Sequence, residues 1–592
     1  MSQTRPLGRA LASCLGNCCI IIAGDPQHKT LPTHPTSSPK NGNVFIHLRY
    51  LNHPNGYLTM KPFPEAAGGH TPKPQTGSSS PFNLLRWRYL PIFLGLTYIL
   101  YCKLTSQPIF AHPLPQHTGP YAVGAIDIES PVMPVRTIDT ARFKRTSTPA
   151  FDLQTVLFTL YYPTTYAAAK SSTVKRHPWI PRPLSLRAQG YAKAAHISNW
   201  LVDKVFEMAL RTLAGGITIP AAVDAPLSDT ATRYSQFAAS WDKADSQEQV
   251  LEKTEVGGHP VIVFSHGTVS SRTDYSHYAG ELAARGYVVV MLEHRDGSCP
   301  GSMIRRKGLP KEKRLIFDET EVETADGREV SVEDFHKAQL SFREAEIEEA
   351  VRVMKLINMG RGAEVYDLNP RGEGVDLVNW AGRLNTDEMI VAGHSYGATG
   401  AMQALRGGPT PMRPFKGAII LDPGKQSGPL NRDINVPMLV VHSNSWSSKS
   451  SIFYGRAHFD TVKDIVEENN ERGNPTWFMT SLGTSHPSVT DAPLLEPWIL
   501  SFTTGATIDV YQGLRQYVHV AEDFLAFLGD GKARGLLAEK AEFPQYDAGA
   551  GLGMWQPGQG DNQQAWEEKG EWWDWRSYWQ IHGSPAGNSE ES

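Results

Sequence analysis

Residues 387–405, DEMIVAGHSYGATGAMQAL, limit the folds open to this chain more than any other segment. An apolar run stops at Gly393, Ser395 stands between two glycines, and a pattern typical of a helix follows. This order matches the GxSxG turn, in which a buried strand passes sharply into a helix and the serine adopts a strained backbone conformation. The two positions that flank the turn, Gly393 and Gly397, need glycine because a Cβ would clash in so tight a turn. The segment therefore predicts a serine hydroxyl above a sheet edge, at the N-terminus of a helix.

The region around this segment alternates between strand and helix patterns. Residues 259–267 and 286–294 are short β-branched runs typical of strands buried on both faces, and residues 154–163 alternate as an outer strand would. Three further core strands are predicted in MIVAGHS, GAIILD and PMLVVHS, and the last one in PTWFMTSLGTSH. Units in this order indicate an α/β fold with a mostly parallel, doubly wound sheet and flanking helices.

A long helix is predicted to start after residue 330. Ser331 and Asp334 form a capping box, which is a signature of a helix N-terminus. The apolar residues that follow share one helical face: Leu340, Ile347, Val351, Met354 and Ile357.

Composition divides the chain into four parts. Residues 1–80 are rich in Pro, Gly, Ser and Thr without a sustained period, so they are predicted to be disordered. Residues 81–114 hold an apolar, anchor-like segment and a linker. Residues 115–545 are expected to form the catalytic domain, with an insertion at about 180–256. Residues 546–592 form a Trp- and Gly-rich tail that is expected to place a few aromatic side chains on the surface.

Composition also excludes several classes of function. A net charge of −4 gives no field that would attract nucleic acid to the whole molecule. Five cysteines in 592 residues do not make a disulfide framework. Gly424 and Lys425 do not belong to a phosphate-binding loop, because no glycine stands five residues before them. Neither a metal nor another cofactor is expected, and the sequence gives no oligomeric state.

Residues 89–102, YLPIFLGLTYILYC, form an apolar run behind Arg86 and Arg88. The run is shorter than the ~20 residues of a membrane span. It also lies farther from the start of the chain than a signal peptide does. Two interpretations stay open: a membrane anchor or internal signal, and a buried or interfacial segment without a targeting role. A membrane-associated or secretory location is therefore favoured, and a cytoplasmic one stays possible.

A serine hydroxyl needs a base to take its proton and an acid to orient that base. In this type of sheet the order is serine, acid, base, each at the C-terminal end of a strand. GAIILD ends in Asp422, whereas the next strand ends without a carboxylate and Asp460 lies in a predicted helix. Asp422 is therefore the predicted acid, against the alternative that it only caps its loop.

The base is predicted to be His486, which directly follows the last core strand in TSLGTSHPSV. Its rivals are placed less well: His442 lies inside a strand, His458 begins a helix, and His519 belongs to a later helical pattern.

The predicted chemistry also needs N–H donors for the oxyanion of a tetrahedral intermediate. One donor would be the backbone of Tyr396, immediately after the serine, and the other the backbone of Thr268, in the loop after residues 259–267. Gly267 would allow that loop to approach closely.

Several stretches together resemble the platelet-activating factor acetylhydrolases of the plasma and intracellular lipase-like type, a family of α/β-hydrolases. The matching stretches span residues 115–530: GPYAVGAIDIE, LFTLYYPTT, WIP, VIVFSHGTVSSRTDYSHYAGELAARGYVVVMLEHRDGS, GHSYGATGA, GAIILDP and GTSHPSVTDAP. FSHG and EHRDGS in company with GHSYG are specific to the family, and the outer stretches are only suggestive.

The resemblance implies an α/β-hydrolase fold and calcium-independent hydrolysis of the sn-2 ester of phospholipids with acetyl, short or oxidised acyl chains. It places the nucleophile, the acid, the base and the two oxyanion donors on the residues already singled out: Ser395, Asp422, His486, Thr268 and Tyr396. Two departures matter. The family more often has a hydrophobic residue where Thr268 stands, and an added stretch at 228–259 could reshape the entrance. From the residues alone, the interpretation stops at a serine ester or amide hydrolase.

Two other functions stay open. A broader lipase or polyester-type carboxylesterase would share all these residues, and only a series of acyl chain lengths separates it from the first hypothesis. A non-catalytic binding protein with a hydrolase fold would be expected to lack a member of the serine, acid and base set, and none is missing here.

Two further segments have both a structural and a functional interpretation. His294, Arg295 and Asp296 could be active-site groups, but a pair between the arginine and the aspartate that holds a loop is favoured. Residues 199–213 place apolar side chains at helical spacing, which fits a helix packed on the core or, as the family resemblance supports, a face that enters a lipid interface. That face consists of Leu201, Val202, Val205, Phe206, Ala209 and Leu213.

Overall fold

The computed structural model describes most of the chain between residues 111 and 586. The described residues are 90, 93–102, 104, 111–169, 175–229, 232–236, 251–255, 257–497, 504–549 and 575–586. The prediction of disorder for residues 1–80 lies outside them, as does most of the predicted tail.

A sheet of ten strands forms the centre of the structure. Its strands are β1 (Ala122–Thr137), β2 (Asp152–Thr164), β3 (Ala222–Val223), β4 (His259–Ser265), β5 (Val288–Leu292), β6 (Leu384–His394), β7 (Phe415–Leu421), β8 (Met438–Ser443), β9 (Thr476–Ser481) and β10 (Trp579–Gly583). Their order across the sheet is β10-β9-β8-β7-β6-β4-β5-β2-β1-β3.

Most neighbouring strands run parallel. The six strands from β9 across to β5 are parallel throughout, β2 is antiparallel to β1 and β5, and β10 is antiparallel to β9. Four small two-stranded sheets lie outside this one: Arg142–Phe143 with Val322–Glu323, Gly301–Ile304 with Glu312–Leu315, Ile452–Phe453 with Arg456–Ala457, and Thr232–Gln236 with Leu251–Glu255. The predicted mostly parallel sheet is confirmed.

Seven longer helices among the described residues connect these strands. They are α1 (Leu184–Ala194), α2 (Trp200–Leu213), α3 (Ser276–Ala283), α4 (Val332–Leu356), α5 (Tyr396–Gln403), α6 (His458–Glu471) and α7 (Val510–Asp530). Shorter helices span Tyr166–Ala169, Gly362–Leu368, Asn444–Ser448 and Ala492–Leu495.

Helices cover both faces of the sheet. In β4, Ile262 and Phe264 belong to a core that includes Tyr278 of α3, and this core continues to α7. Val261 and Val263 point to the opposite face, where they share a core with Ile347 of α4. Successive side chains of a strand point to opposite faces, so a continuous apolar run serves two cores at once. This arrangement confirms the doubly wound α/β-hydrolase architecture.

Helix α4 begins as the capping box predicts. The hydroxyl of Ser331 accepts a hydrogen bond from the backbone N–H of Asp334 at 3.0 Å. The five apolar residues predicted to share a face are all buried. The helix therefore packs along that face, as amphipathic helices do.

The C-terminal segment departs from its prediction. Trp579–Gly583 forms β10, which pairs with β9 at the edge of the sheet, and all five residues are buried. The prediction of a surface tail is wrong for these residues. Five residues are too few for their sequence to specify a strand. The open edge of β9 supplies the backbone hydrogen bonds that hold this segment as a strand.

The apolar run at 89–102 is helical over residues 93–102. Among the described residues, the structure contains no helix with both the length and the apolarity needed to cross a membrane.

Candidate active site

Ser395 occupies a sharp turn between a strand and a helix. Strand β6 ends at His394 and helix α5 begins at Tyr396, so Ser395 alone makes the turn. Its backbone lies at φ 58° and ψ −125°, a conformation that costs free energy for any residue with a Cβ. Its backbone N–H donates to the carbonyl of Leu421, the last residue of β7, at 2.9 Å. The strained turn predicted from the GxSxG pattern is present.

Both glycines of the pattern are required by close backbone contacts. A Cβ on Gly393 would lie 2.3 Å from the carbonyl oxygen of Gly397. A Cβ on Gly397 would lie 1.9 Å from the carbonyl oxygen of Ser265 in β4. Neither position can accept a side chain unless the backbone moves, so the turn fixes Ser395 against the end of β4.

Asp422 and His486 form a hydrogen-bonded pair at the ends of β7 and β9. Nδ1 of His486 lies 2.8 Å from Oδ2 of Asp422. The backbone N–H and hydroxyl of Ser443 donate to the two oxygens of the same carboxylate, at 2.6 and 2.7 Å. Burial would raise the pKa of Asp422, but the neighbouring imidazole of His394 and the hydrogen bond with His486 outweigh it and hold the pKa below its usual range. The carboxylate is therefore charged and holds the imidazole by Nδ1.

The residue before Ser395 contacts this pair directly. The ring centroids of His394 and His486 are 4.4 Å apart, and Nε2 of His394 lies 3.9 Å from Oδ2 of Asp422. The structure thus brings Asp422 and His486 together and places the serine turn beside them. That the three residues act as a catalytic triad stays a prediction.

The rival histidines stand where the sequence places them. His442 lies within β8, His458 is the first residue of α6, and His519 lies in α7.

The loop after β4 lies against the serine. A Cβ on Gly267 would stand 3.0 Å from the Cβ of Ser395. The backbone N–H of Gly267 donates to the hydroxyl of Tyr275 at 3.2 Å, and that hydroxyl lies 2.9 Å from Nδ1 of His394. Thr268 directly follows Gly267, and Tyr396 directly follows Ser395, so both predicted oxyanion donors belong to segments that adjoin the serine. Their role as donors stays a prediction.

A segment that sequence reasoning missed holds the acid and the base in place. Ser443 ends β8, and Ser445 and Trp446 lie just after it, where the sequence offers no carboxylate. Besides the bonds of Ser443 to the acid, the hydroxyl of Ser445 accepts from the backbone N–H of His486 at 2.9 Å. The indole of Trp446 stacks on the imidazole of His486. The available signal was the position of SNSW at the end of a core strand next to the one that bears the acid.

A fully buried arginine supports the turn from beneath. The guanidinium of Arg343 donates to Oδ2 of Asp296 and to the carbonyl of His266, both at 2.7 Å. It also lies 4.4 Å from the ring centroid of Tyr396. Asp296 therefore compensates a buried charge, which favours its structural interpretation.

The predicted pair between Arg295 and Asp296 is not formed. Arg295 instead donates to a carboxylate oxygen of Glu129 at 2.7 Å, and Asp296 takes Arg343 as its partner. Nδ1 of His294 lies 2.6 Å from a carboxylate oxygen of Glu346, and its Nε2 lies 2.7 Å from the hydroxyl of Ser265. All three residues of the HRD segment are buried. Adjacent residues of an extended segment point in different directions, so neighbours in sequence need not pair.

Two buried groups of side chains among the described residues have atoms close enough to ligate a metal ion. One consists of His394, Asp422 and His486, which are the residues of the candidate site. The other consists of His266, Glu293 and Cys299. In the second group the guanidinium of Arg187 donates to Glu293 at 2.5 Å and to Cys299 at 3.0 Å. The guanidinium of Arg187 therefore already supplies a positive charge to Glu293 and Cys299 of this group.

A family model and two curated relatives carry the same family name. A sequence model described as platelet-activating factor acetylhydrolase, isoform II, matches residues 232–548. A platelet-activating factor acetylhydrolase of Cavia porcellus is 24% identical over 57% of this chain and 62% of its own length. One from Canis lupus familiaris is 26% identical over 49% of this chain and 52% of its own length.

Two further similarities are shorter or weaker. A putative phospholipase A2 of Schizosaccharomyces pombe is 34% identical over 24% of this chain and 34% of its own length. The chain thus spans no more than 62% of the length of these curated relatives. Among solved structures, a ferulic acid esterase from Streptomyces cinnamoneus matches with 17% identity and a TM-score of 0.39, covering 72% of this chain and 96% of that one.

Proposed function

The chain belongs to the platelet-activating factor acetylhydrolase isoform II family, and from this premise we propose that it is a serine esterase acting on phospholipids. Its substrates would be platelet-activating-factor-like phospholipids whose sn-2 position carries an acetyl, short or oxidised acyl ester. The products would be a lysophospholipid and a short acid. The observation that carries the proposal is the hydrogen-bonded Asp422 and His486 pair beside the strained Ser395 turn.

The proposed mechanism proceeds through an acyl-enzyme. His486 takes the proton of Ser395 as the serine oxygen attacks the sn-2 carbonyl, and Asp422 stabilises the imidazolium. Backbone N–H groups of Thr268 and Tyr396 hold the oxyanion. The imidazolium then gives its proton to the departing lysophospholipid oxygen. In the second half, His486 takes a proton from water as the water oxygen attacks the acyl carbon. The bond from that carbon to the serine oxygen then breaks, the imidazolium returns its proton to Ser395, and the short acid leaves.

Calcium independence belongs to the proposal because every step has a protein group to perform it. The nucleophile is a side-chain hydroxyl, and the negative charge of the intermediate is held by N–H groups rather than by a cation. We therefore expect equal turnover with calcium and with excess EDTA.

The chain-length preference is the measurement that tests the substrate. We expect purified protein to hydrolyse sn-2 acetyl and butyryl phosphatidylcholines, and to turn over the palmitoyl homologue at least about tenfold more slowly, because a pocket shaped for a short acyl chain excludes a long one. Release of the lysophospholipid and of the short acid would be measured by mass spectrometry. Equal turnover of long-chain phospholipids or of polyesters would favour the broader lipase or carboxylesterase. Failure to hydrolyse any ester by a folded protein would favour a binding protein.

Helix α2 is a candidate contact with the lipid surface that carries the substrate. Phe206 and Leu210 are buried and attach the helix to the core, whereas Trp200, Leu201 and Met208 are 77%, 61% and 64% exposed. Large apolar side chains on the solvent side of an amphipathic helix are typical of interfacial binding. Residues 89–102 form a second candidate contact through their apolar composition.

Substitutions on α2 test this contact. Met208→Ser and Trp200→Ser are expected to weaken binding to phosphatidylcholine vesicles, Trp200→Ser by about tenfold, because each removes apolar surface that the lipid would cover. Turnover of a monomeric ester should not change. Met359 is a matched control, since it is 67% exposed but lies far along the chain from α2. If Met359→Ser weakens vesicle binding as much as Met208→Ser does, α2 has no special role.

A further inference from the structure

Trp446 lies flat against the ring of His486. The two ring centroids are 4.1 Å apart and the planes differ by 11°. The indole N–H of Trp446 donates to the carbonyl of Pro423, next to the acid, at 3.0 Å. The indole is thereby fixed between the acid-bearing loop and the histidine, so it can hold the imidazole in one plane.

A lysine approaches the same indole. Nζ of Lys425 lies 4.6 Å from the ring centroid of Trp446. It donates to the carbonyls of Trp446 and Lys449 at 2.7 and 2.8 Å, which fixes its position. The imidazole and the ammonium thus both lie against the same indole. We call Lys425, Trp446 and His486 together the Lys-Trp-His stack.

We propose that Trp446 is a positioning residue for His486, whose indole supports the imidazolium during proton transfer, and that the Lys425 ammonium limits how basic the imidazole becomes. The inference rests on the proposed function and adds two residues to it. The face of an aromatic ring attracts a cation, so the indole favours the protonated form of His486. An ammonium against the same indole repels a second positive charge and disfavours that form.

The two effects oppose each other, so they can be separated in a pH profile. When His486 takes the proton of Ser395, its charge rises by one unit, and the indole stabilises this state directly. Lys425 makes loss of the proton to the departing oxygen easier. The stack thus balances uptake of the proton against its release, which a base must perform in one catalytic cycle.

The titratable groups in contact with the Lys-Trp-His stack change charge outside the range in which imidazoles commonly titrate. Asp422 is held ionised by its hydrogen bonds. Burial and the neighbouring His486 lower the pKa of His394 to about 4. Burial and the charge of Lys425 lower the pKa of His458, which lies at the edge of Trp446, to about 3. Burial lowers the pKa of Lys425 to about 8, against the opposing charge of Asp422. Burial raises the pKa of Asp491, which lies on the loop of His486 and accepts hydrogen bonds from Ser276 and Trp179, to about 7. A limb that moves with substitutions at both Trp446 and Lys425 therefore reports His486, which contacts the indole, rather than Asp491.

The test is the pH dependence of kcat/KM with p-nitrophenyl butyrate, a monomeric ester that needs no lipid surface. Trp446→Leu is expected to move the acid limb down by about half a pH unit and to lower kcat about tenfold. Trp446→Phe keeps an aromatic face and should retain most of the wild-type profile. Lys425→Met is expected to move the same limb up by about half a pH unit, whereas Lys425→Arg, which keeps the charge, should leave it in place.

Lys532 is a matched control, because it is an exposed lysine in the loop after α7. Lys532→Met should leave the limb unchanged. Thermal unfolding of each variant would establish that it is folded. If Trp446→Leu does not fold, the pH profiles of Trp446→Phe, Lys425→Met and Lys425→Arg still test the inference. Limbs that do not move, or that move in the same direction, would overturn the inference. Hydrolysis that persists in Ser395→Ala would instead overturn the proposed function itself.

Discussion

Ser395→Ala should lower kcat for a short-chain ester by about a million-fold while the protein remains folded. The substitution removes the only atom of the turn that can form the acyl-enzyme bond. Alanine keeps the Cβ and the same backbone strain, so the unfolding free energy should change by less than about 1 kcal/mol. Kinetics on p-nitrophenyl butyrate and thermal unfolding together measure both effects.

Ser450→Ala is the matched control, because Ser450 is exposed on the surface. It should retain wild-type turnover. A fluorophosphonate probe should add its mass to the peptide that contains Ser395 in the wild type and not in Ser395→Ala. Wild-type turnover by Ser395→Ala, or labelling of another serine that tracks the activity, would contradict the assignment of the nucleophile.

Asp422→Asn is expected to have the second largest effect, a decrease in kcat of about ten-thousand-fold. An amide presents N–H donors to Nδ1 of His486, which favours the wrong tautomer and leaves the imidazolium uncompensated. The amide would also confront the two donors of Ser443, which now bind the carboxylate oxygens. Asp387→Asn is the matched control, since the side chain of Asp387 is 92% exposed. Comparable loss of kcat in both variants would contradict the role of Asp422.

The same substitution should alter the dependence of stability on pH. The pKa of Asp422 is lower in the folded protein than its usual value, so the unfolded chain binds a proton more readily. Asp422 therefore contributes stability above its unfolded pKa of about 3.9, and this contribution is lost as the pH falls below that value. Asp422→Asn should be less stable than the wild type at neutral pH. The difference in unfolding free energy between the two proteins should diminish toward pH 2 to 3, measured by urea unfolding.

The sequence predicts the site residues because chain order constrains them. Ser395, Asp422 and His486 each follow a recognisable core strand, and parallel strands bring their C-terminal ends to one edge of the sheet. The rivals fail on position alone. His442, for example, lies within β8, and its ring packs on Phe459 and Phe478.

The supporting residues are less visible because their roles depend on contacts that only the fold creates. Arg343 stands in the middle of a helix rich in charged residues, where a solvent-exposed side chain is the ordinary expectation. Only the packing of α4 beneath α5 places it under Tyr396, fully buried. Trp446 likewise has no sequence pattern that links it to His486, since the two lie in different loops.

The edge strand has a consequence for synthesis and truncation. β10 pairs with β9, the strand that leads into the loop of His486, yet it comes about a hundred residues later and beyond the segment that the family model matches. Until the ribosome has released residue 583, the rim of β9 stays open to pairing with another nascent chain. A premature stop codon after α7 and before β10 would leave every residue of the candidate site in place and still yield a protein prone to aggregate. Loss of function from such a stop codon would then reflect exposed backbone rather than altered chemistry.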